Sequence, residues 1–266
     1  MLENAMVREG PRPTKTTISP EERELRRDLA AAYRLAALHE WDDMIGTHFS
    51  ARVPTAPGAP EEFLINPYGL LFEEITASSL VKVDVEGNIL SDSDYPVNKA
   101  GFVIHSAVHM ARENAGCVMH LHTRDGVAVS ALECGLLPLD QTSIAIRSKI
   151  SVHEYEGVAN NLEERERLVA DLGDNDLMFL RNHGTLSVGA TVGEAFQRMY
   201  LLERSCTIQV RTLSMNEPWH RPDARVIEHM DKHAGRRSEG ISNYVKNLVW
   251  PALLRKLDRE CPDYKD

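Results

Sequence analysis

Nowhere in the 266 residues does an apolar run approach the ~20 residues of a membrane-spanning helix. Met1 to Glu9 has no apolar core of the kind a secretory signal carries. Positive charge is scarce: 30 lysines and arginines face 40 aspartates and glutamates, for a net charge of −10. Without a basic field to meet phosphates, nucleic acid is excluded as the main partner, and Arg236-Arg237 is too short to alter that. Cys117, Cys134, Cys206 and Cys261 show no paired spacing, so a reduced cytoplasmic protein is the simplest reading. Neither a repeat nor a low-complexity tract is evident. What remains, 42% hydrophobic and 26% charged, suffices for one large domain or two small ones.

The chemistry concentrates in Cys117-Val118-Met119-His120-Leu121-His122-Thr123. In an extended strand, side chains at i and i+2 leave the same face, so His120 and His122 can grip one ion between them. Met178-Phe179-Leu180 reads as a second short strand, ending in Arg181-Asn182-His183-Gly184. Three histidines at two strand ends make a facial metal site with positions open for substrate or water. A pair of hydrogen-bonded core histidines is the competing reading of His-x-His alone.

Met1 to Thr17 has no periodicity and reads as an arm (residues 1–17). Ser19-Pro20-Glu21-Glu22 opens a helix that ends near His39, with a capping serine, proline in the first turn and acids at the positive end of the dipole. Strands are expected over Gly46–Val53, Phe63–Ile65 and Leu80–Asp84, and turns at Asn66-Pro67-Tyr68-Gly69 and Glu86-Gly87-Asn88. Helices are expected over Ala100–Arg112, Gly126–Leu132, Glu163–Leu172 and Glu194–Leu213. After residue 214 the chain changes character, and 215–266 reads as a helical appendage to a domain over 18–214. Trp219, His229, His233, Tyr244 and Trp250 are spread along it. They could form an aromatic cover favouring hydrophobic substrates, although Trp250-Pro251-Ala252-Leu253-Leu254 reads first as a packing helix. His229 and His233 have a metal-compatible spacing but no further ligands, so a solvent-facing pair is the default.

Three separated motifs in order carry a resemblance. They are Asn98-Lys99-Ala100-Gly101-Phe102-Val103-Ile104-His105-Ser106-Ala107, the His120/His122 pair, and Arg181-Asn182-His183-Gly184 followed by Ser187-Val188-Gly189. On these the chain resembles the class II aldolase/adducin family, its adducin-like bacterial branch above all, from about Glu22 to Ser214. The resemblance implies an α/β/α sandwich on a mixed, largely antiparallel central sheet, assembled as a homotetramer with sites at subunit interfaces. It implies one divalent metal ion per subunit on His120, His122 and His183, with Zn²⁺ first and Fe²⁺ or Mn²⁺ as alternatives. The family's sugar-phosphate members also use a glutamate in a Ser-Ser-Glu motif four residues before a histidine matching His105. Here Lys99 and Ala100 replace the serines and Gly101 replaces the glutamate, so a phosphorylated sugar is not the expected substrate.

An ion on three histidines can polarise a carbonyl and stabilise an enolate. A lyase acting on a non-phosphorylated 2-oxo or 2-hydroxy carboxylic acid, by retro-aldol cleavage or decarboxylation, is therefore expected. His48, Tyr155 and Tyr68 are the candidate proton carriers, each beside a turn that can face a cleft. Lys99 is placed to pair with a substrate carboxylate, and Asn66, Gly101 and His105 complete the substrate-binding candidates. The alternatives are a three-histidine iron oxygenase decarboxylating aryl 2-oxo acids, and a non-catalytic adducin-like interaction module.

Overall fold

The computed structural model describes residues 18–157, 162–233 and 238–266; the arm expected over 1–17 lies outside them. In chain order come α1 (Pro20–Leu38), β1 (His48–Arg52), β2 (Phe63–Ile65), β3 (Val81–Val83), α2 (Lys99–Ala111), β4 (Cys117–Leu121) and α3 (Arg124–Ser130). Then follow α4 (Gln141–Ile146), β5 (Ile150–His153), α5 (Leu162–Leu172), β6 (Leu177–Leu180), β7 (Gly184–Gly189), α6 (Val192–Ser214), α7 (Ala224–His233), α8 (Ser238–Tyr244) and α9 (Trp250–Glu260). The seven strands form one sheet in the order β3-β2-β1-β4-β7-β6-β5. Every pairing is antiparallel except β5 with β6. Helices cover both faces, giving an α/β/α sandwich.

Alternation along each strand feeds the two helical layers. Cys117, Met119 and Leu121 of β4 join Phe49 and Ala51 of β1 in a core with Leu29, Tyr33 and Leu35 of α1 and Phe196 and Met199 of α6. Val118 of β4 faces the other way and packs with Ile104 and Val108 of α2 and Leu168 and Leu172 of α5. Burying one side chain of this size contributes about 1.5–3 kcal/mol, so a polar residue on either face needs a partner to hold it there. His120, two residues after Val118, is such a residue.

The helix starts follow their capping signals. Ser19 accepts from Glu22 N–H at α1, Asn98 from Gly101 N–H at α2, and Thr123 from Gly126 N–H at α3. The segment expected as an appendage enters the main core. Val245, Trp250, Leu257 and Tyr264 belong to the α1 cluster, and Trp250 Nε1 donates to Asp28. Ala77 N–H donates to the Tyr264 carbonyl at 2.9 Å, joining the chain's last turn to the loop before β3.

Candidate metal centre

β4 carries His120, His122 stands just past its end, and His183 lies in the turn between β6 and β7. Asn182 takes a φ of 54° there, a left-handed conformation that asparagine tolerates. Gly184 follows because a Cβ would sit 2.2 Å from the Leu121 carbonyl and 3.2 Å from the His122 ring. The strands thus close tightly enough to bring all three ligand atoms within 4.8 Å of one another.

The partners of each ring decide which nitrogens face inward. His120 Nδ1 donates to the Thr185 carbonyl at 3.0 Å, and His122 Nδ1 faces the Asp43 carboxylate at 3.1 Å. His120 Nε2 is therefore bare, and it lies 2.9 Å from His122 Nε2, close enough for one proton or one cation to bridge the two rings. Burial, with His183 and His122 beside it, holds His120 well below the usual histidine range; burial and His122 bring His183 down to about 4. Three imidazoles whose ring nitrogens converge on one point are a donor set that suits a divalent metal.

Behind the trio lies Glu203 of α6, 2% exposed. Its carboxyl accepts from Thr123 Oγ1 and, at 2.5 Å, from Thr185 Oγ1. Burial takes its pKa up to about 7 against the lowering effect of the two hydroxyls. Glu203 thereby ties the residue after His122 to the residue whose carbonyl orients His120.

His48 joins this centre. It stands opposite His120 in the β1–β4 register, ring centroids 5.5 Å apart, and burial takes its pKa down to about 3. Gly101, in the first turn of α2, meets it directly: a Cβ there would fall 1.9 Å from His48 Nε2. Tyr155, 57% exposed, lines a small cavity together with His183 and Arg181.

Other expected residues are elsewhere. His105 is fully buried, with one ring nitrogen against His48 and the other against Ser50, so it is not a substrate contact. Asn66 is also buried, its Oδ1 2.9 Å from Tyr33 Oη, and so belongs to the core rather than a cleft. Among the described residues, no hydrogen bond or ring contact links Tyr68 to the trio; its N–H donates to the Pro96 carbonyl. Lys99 opens α2, but its side chain and that of His233 lie outside the described residues. Trp250 is core, and Trp219 lies under Arg221 in a groove with Leu137 and Pro138, so neither covers the trio. Sequence reasoning missed Asp43, Thr185 and Glu203 altogether.

The chain matches the family described as Class II Aldolase and Adducin N-terminal domain over residues 27–210. It belongs to that family. A Caulobacter vibrioides protein bearing an aldolase class 2 name is 53% identical over 262 residues, covering 97% of this chain and 99% of its own. Alpha-adducin of Rattus norvegicus is 44% identical over 73% of this chain, which matches 26% of the adducin. The solved structure of an aldolase II superfamily protein from Pseudomonas syringae superposes with a TM-score of 0.84 at 49% identity, covering 94% of this chain and 98% of that one. The L-fuculose 1-phosphate aldolase from Glaciozyma antarctica PI12 gives 0.76 at 26% identity, covering 96% of each chain. Class II aldolases employ a divalent metal, and this chain has the three-histidine group that could hold one.

Proposed function

We propose that the protein is a divalent-metal-dependent lyase that cleaves a non-phosphorylated 2-oxo or 2-hydroxy carboxylic acid, by retro-aldol reaction or decarboxylation. One observation carries this reading: the Nε2 atoms of His120 and His122 face each other at 2.9 Å, with His183 beside them. The aldolase relatives support lyase chemistry. Lys99, Ala100 and Gly101, where sugar-phosphate members have Ser-Ser-Glu, direct it away from phosphorylated sugars.

A divalent cation, Zn²⁺ in the first instance, supplies Lewis acidity to a chelated carboxylate and neighbouring oxygen, stabilising charge that builds as the C–C bond breaks. The chain does the rest. His120, His122 and His183 hold the ion, while Thr185 and Asp43 fix the first two rings in the ligating tautomer. Lys99, the first residue of α2, is assigned the substrate carboxylate on its charge. Tyr155, an exposed phenol in the cavity beside His183, is available to return a proton to carbon, with a homotetramer placing sites between subunits.

The test loads the protein with Zn²⁺, Mn²⁺ or Fe²⁺ and assays pyruvate and CO₂ release from hydroxy and 2-oxo acids. Release that disappears on chelation is expected; no turnover with any of the three ions would overturn the reading. Oxygen uptake with aryl 2-oxo acids in the iron-loaded protein would instead assign oxygenase chemistry. The alpha-adducin match favours one further reading, an interaction module, under which His120→Ala would leave every function intact.

A further inference from the structure

Ser50, His105 and His109 hold no place in the proposed cation site. With His48 they form a buried file whose hydrogen bonds run in one direction. The file starts at the Ala115 carbonyl, which can only accept. His109 Nδ1 lies 2.7 Å from that oxygen and so carries a proton. Among the described residues no carboxylate contacts this ring, and burial takes its pKa down to about 3, so it is neutral and its Nε2 is bare. Ser50 Oγ, 2.7 Å away, gives that nitrogen its single hydroxyl proton. Ser50 can then only accept from His105 Nδ1, also at 2.7 Å, which leaves His105 Nε2 bare. That nitrogen, in turn, accepts from His48 Nδ1 at 2.8 Å. Each link is forced by the one before it, and the last free atom is His48 Nε2.

Two further observations set that atom against α2 and its ring beside the trio. The ring edge lies against the first turn of α2, where only glycine at 101 leaves room for it. The ring centroid is 5.5 Å from that of His120, within the reach of one small molecule held by the trio. Among the described residues, His48 Nε2 accepts no hydrogen bond. An acceptor this enclosed gains from a donor that a ligand brings.

We infer that His48 presents a fixed, unprotonated Nε2 to the metal cleft as a hydrogen-bond acceptor, and that it selects ligands carrying a hydroxyl group there. A hydroxyl suits the position better than an ammonium, which the adjacent cation would repel. The inference rests on the functional reading for where the acid binds, and it narrows that substrate class to hydroxy acids. His48 is then a specificity-determining contact whose polarity is set from Ala115, through three buried side chains.

Two measurements test this. Long-range ¹H–¹⁵N correlation on the metal-free protein reads the tautomers without any ligand. Nδ1–H forms of His48, His105 and His109 are expected, with mixed His48 tautomers in Ser50→Ala; an Nε2–H form of His48 in the wild type would overturn the inference. Calorimetry on the Zn²⁺-loaded protein then compares lactate with 2-methoxypropionate. Lactate should bind about tenfold more tightly, with the ratio falling toward one in His48→Phe. Equal affinities in the wild type, or a ratio unchanged in His48→Phe, would refute the selection. Failure of both acids to bind would instead sink the functional reading, and the ligand assignment with it, whatever tautomer His48 shows.

Discussion

Two groups of histidines lie a few ångströms apart on the same face of the sheet and are built for opposite ends. His120, His122 and His183 turn ring nitrogens toward one point, an arrangement that suits a shared cation. In the file of His109, Ser50, His105 and His48, every nitrogen but the last has a matching partner. Ring type and burial do not separate the two groups, since His105 and His120 are both essentially inaccessible. The partner on the far side of each ring does. A carbonyl or carboxylate behind a ring fixes a bare nitrogen in front of it, and geometry decides whether that nitrogen meets another donor or another lone pair.

The comparison breaks most visibly at His120. His120→Ala should take bound divalent metal from one per chain to nearly none and lower turnover at least about a thousandfold, measured by elemental analysis and steady-state assay. His109→Ala should leave metal content intact. Next in size is Gly101→Ala, whose methyl would collide with His48 Nε2. A loss of about 1–3 kcal/mol in denaturant unfolding is expected, most of it recovered in the Gly101→Ala/His48→Ala double variant. Glu203→Gln keeps the shape but cannot accept from both threonines. Metal affinity should fall about 10- to 100-fold, with the file's tautomers unchanged.

The smallest expected effect is on pH dependence. His48 and His109 have folded pKa values near 3, and those of His105 and His120 lie well below the ordinary 6.5. Their stabilisation is complete above pH 6.5 and is lost as pH falls through the window toward 3. Glu203 works with opposite sign, its share present below 4.5 and lost as pH rises through about 7. With His183 at about 4 and His39 also lowered, six rings outweigh Glu203 and the raised Asp28, so metal-free protein should lose stability on going from pH 6.5 to 5. The slope is at most about 1.4 kcal/mol per pH unit per ring, read from denaturation midpoints.

Much of this was legible in the sequence. Ser19-Pro20-Glu21-Glu22 announced α1 because capping is a local matter, and strand alternation put His120 and His122 together. A second short strand ending in a polar turn supplied His183, and the family resemblance supplied the sandwich. What stayed hidden depends on register between distant strands. Antiparallel pairing sets His48 opposite His120 and Ser50 opposite Val118, and nothing local in either segment encodes that. Gly101 read as a missing carboxylate, whereas its reason is the imidazole packed against it. His109 went unnoticed and His105 was read as a substrate contact, because the role of both needed Ser50 on another element. Asn66 looked like a cleft residue because turns with proline and glycine usually face solvent, and Tyr33 holds it in the core instead. Of the aromatic residues after 214, Trp250 read first as part of a packing helix and is in the core, whereas Trp219 carried no signal of where it would pack.

The central claim is that the Nε2 atoms of His120 and His122 share a cation. Isothermal titration of Zn²⁺ into the metal-free protein, repeated on His122→Ala, tests it most directly. One site per chain is expected in the wild type, and no site in the variant. Absence of saturable binding to the wild type, or equal binding by His122→Ala, would contradict the account.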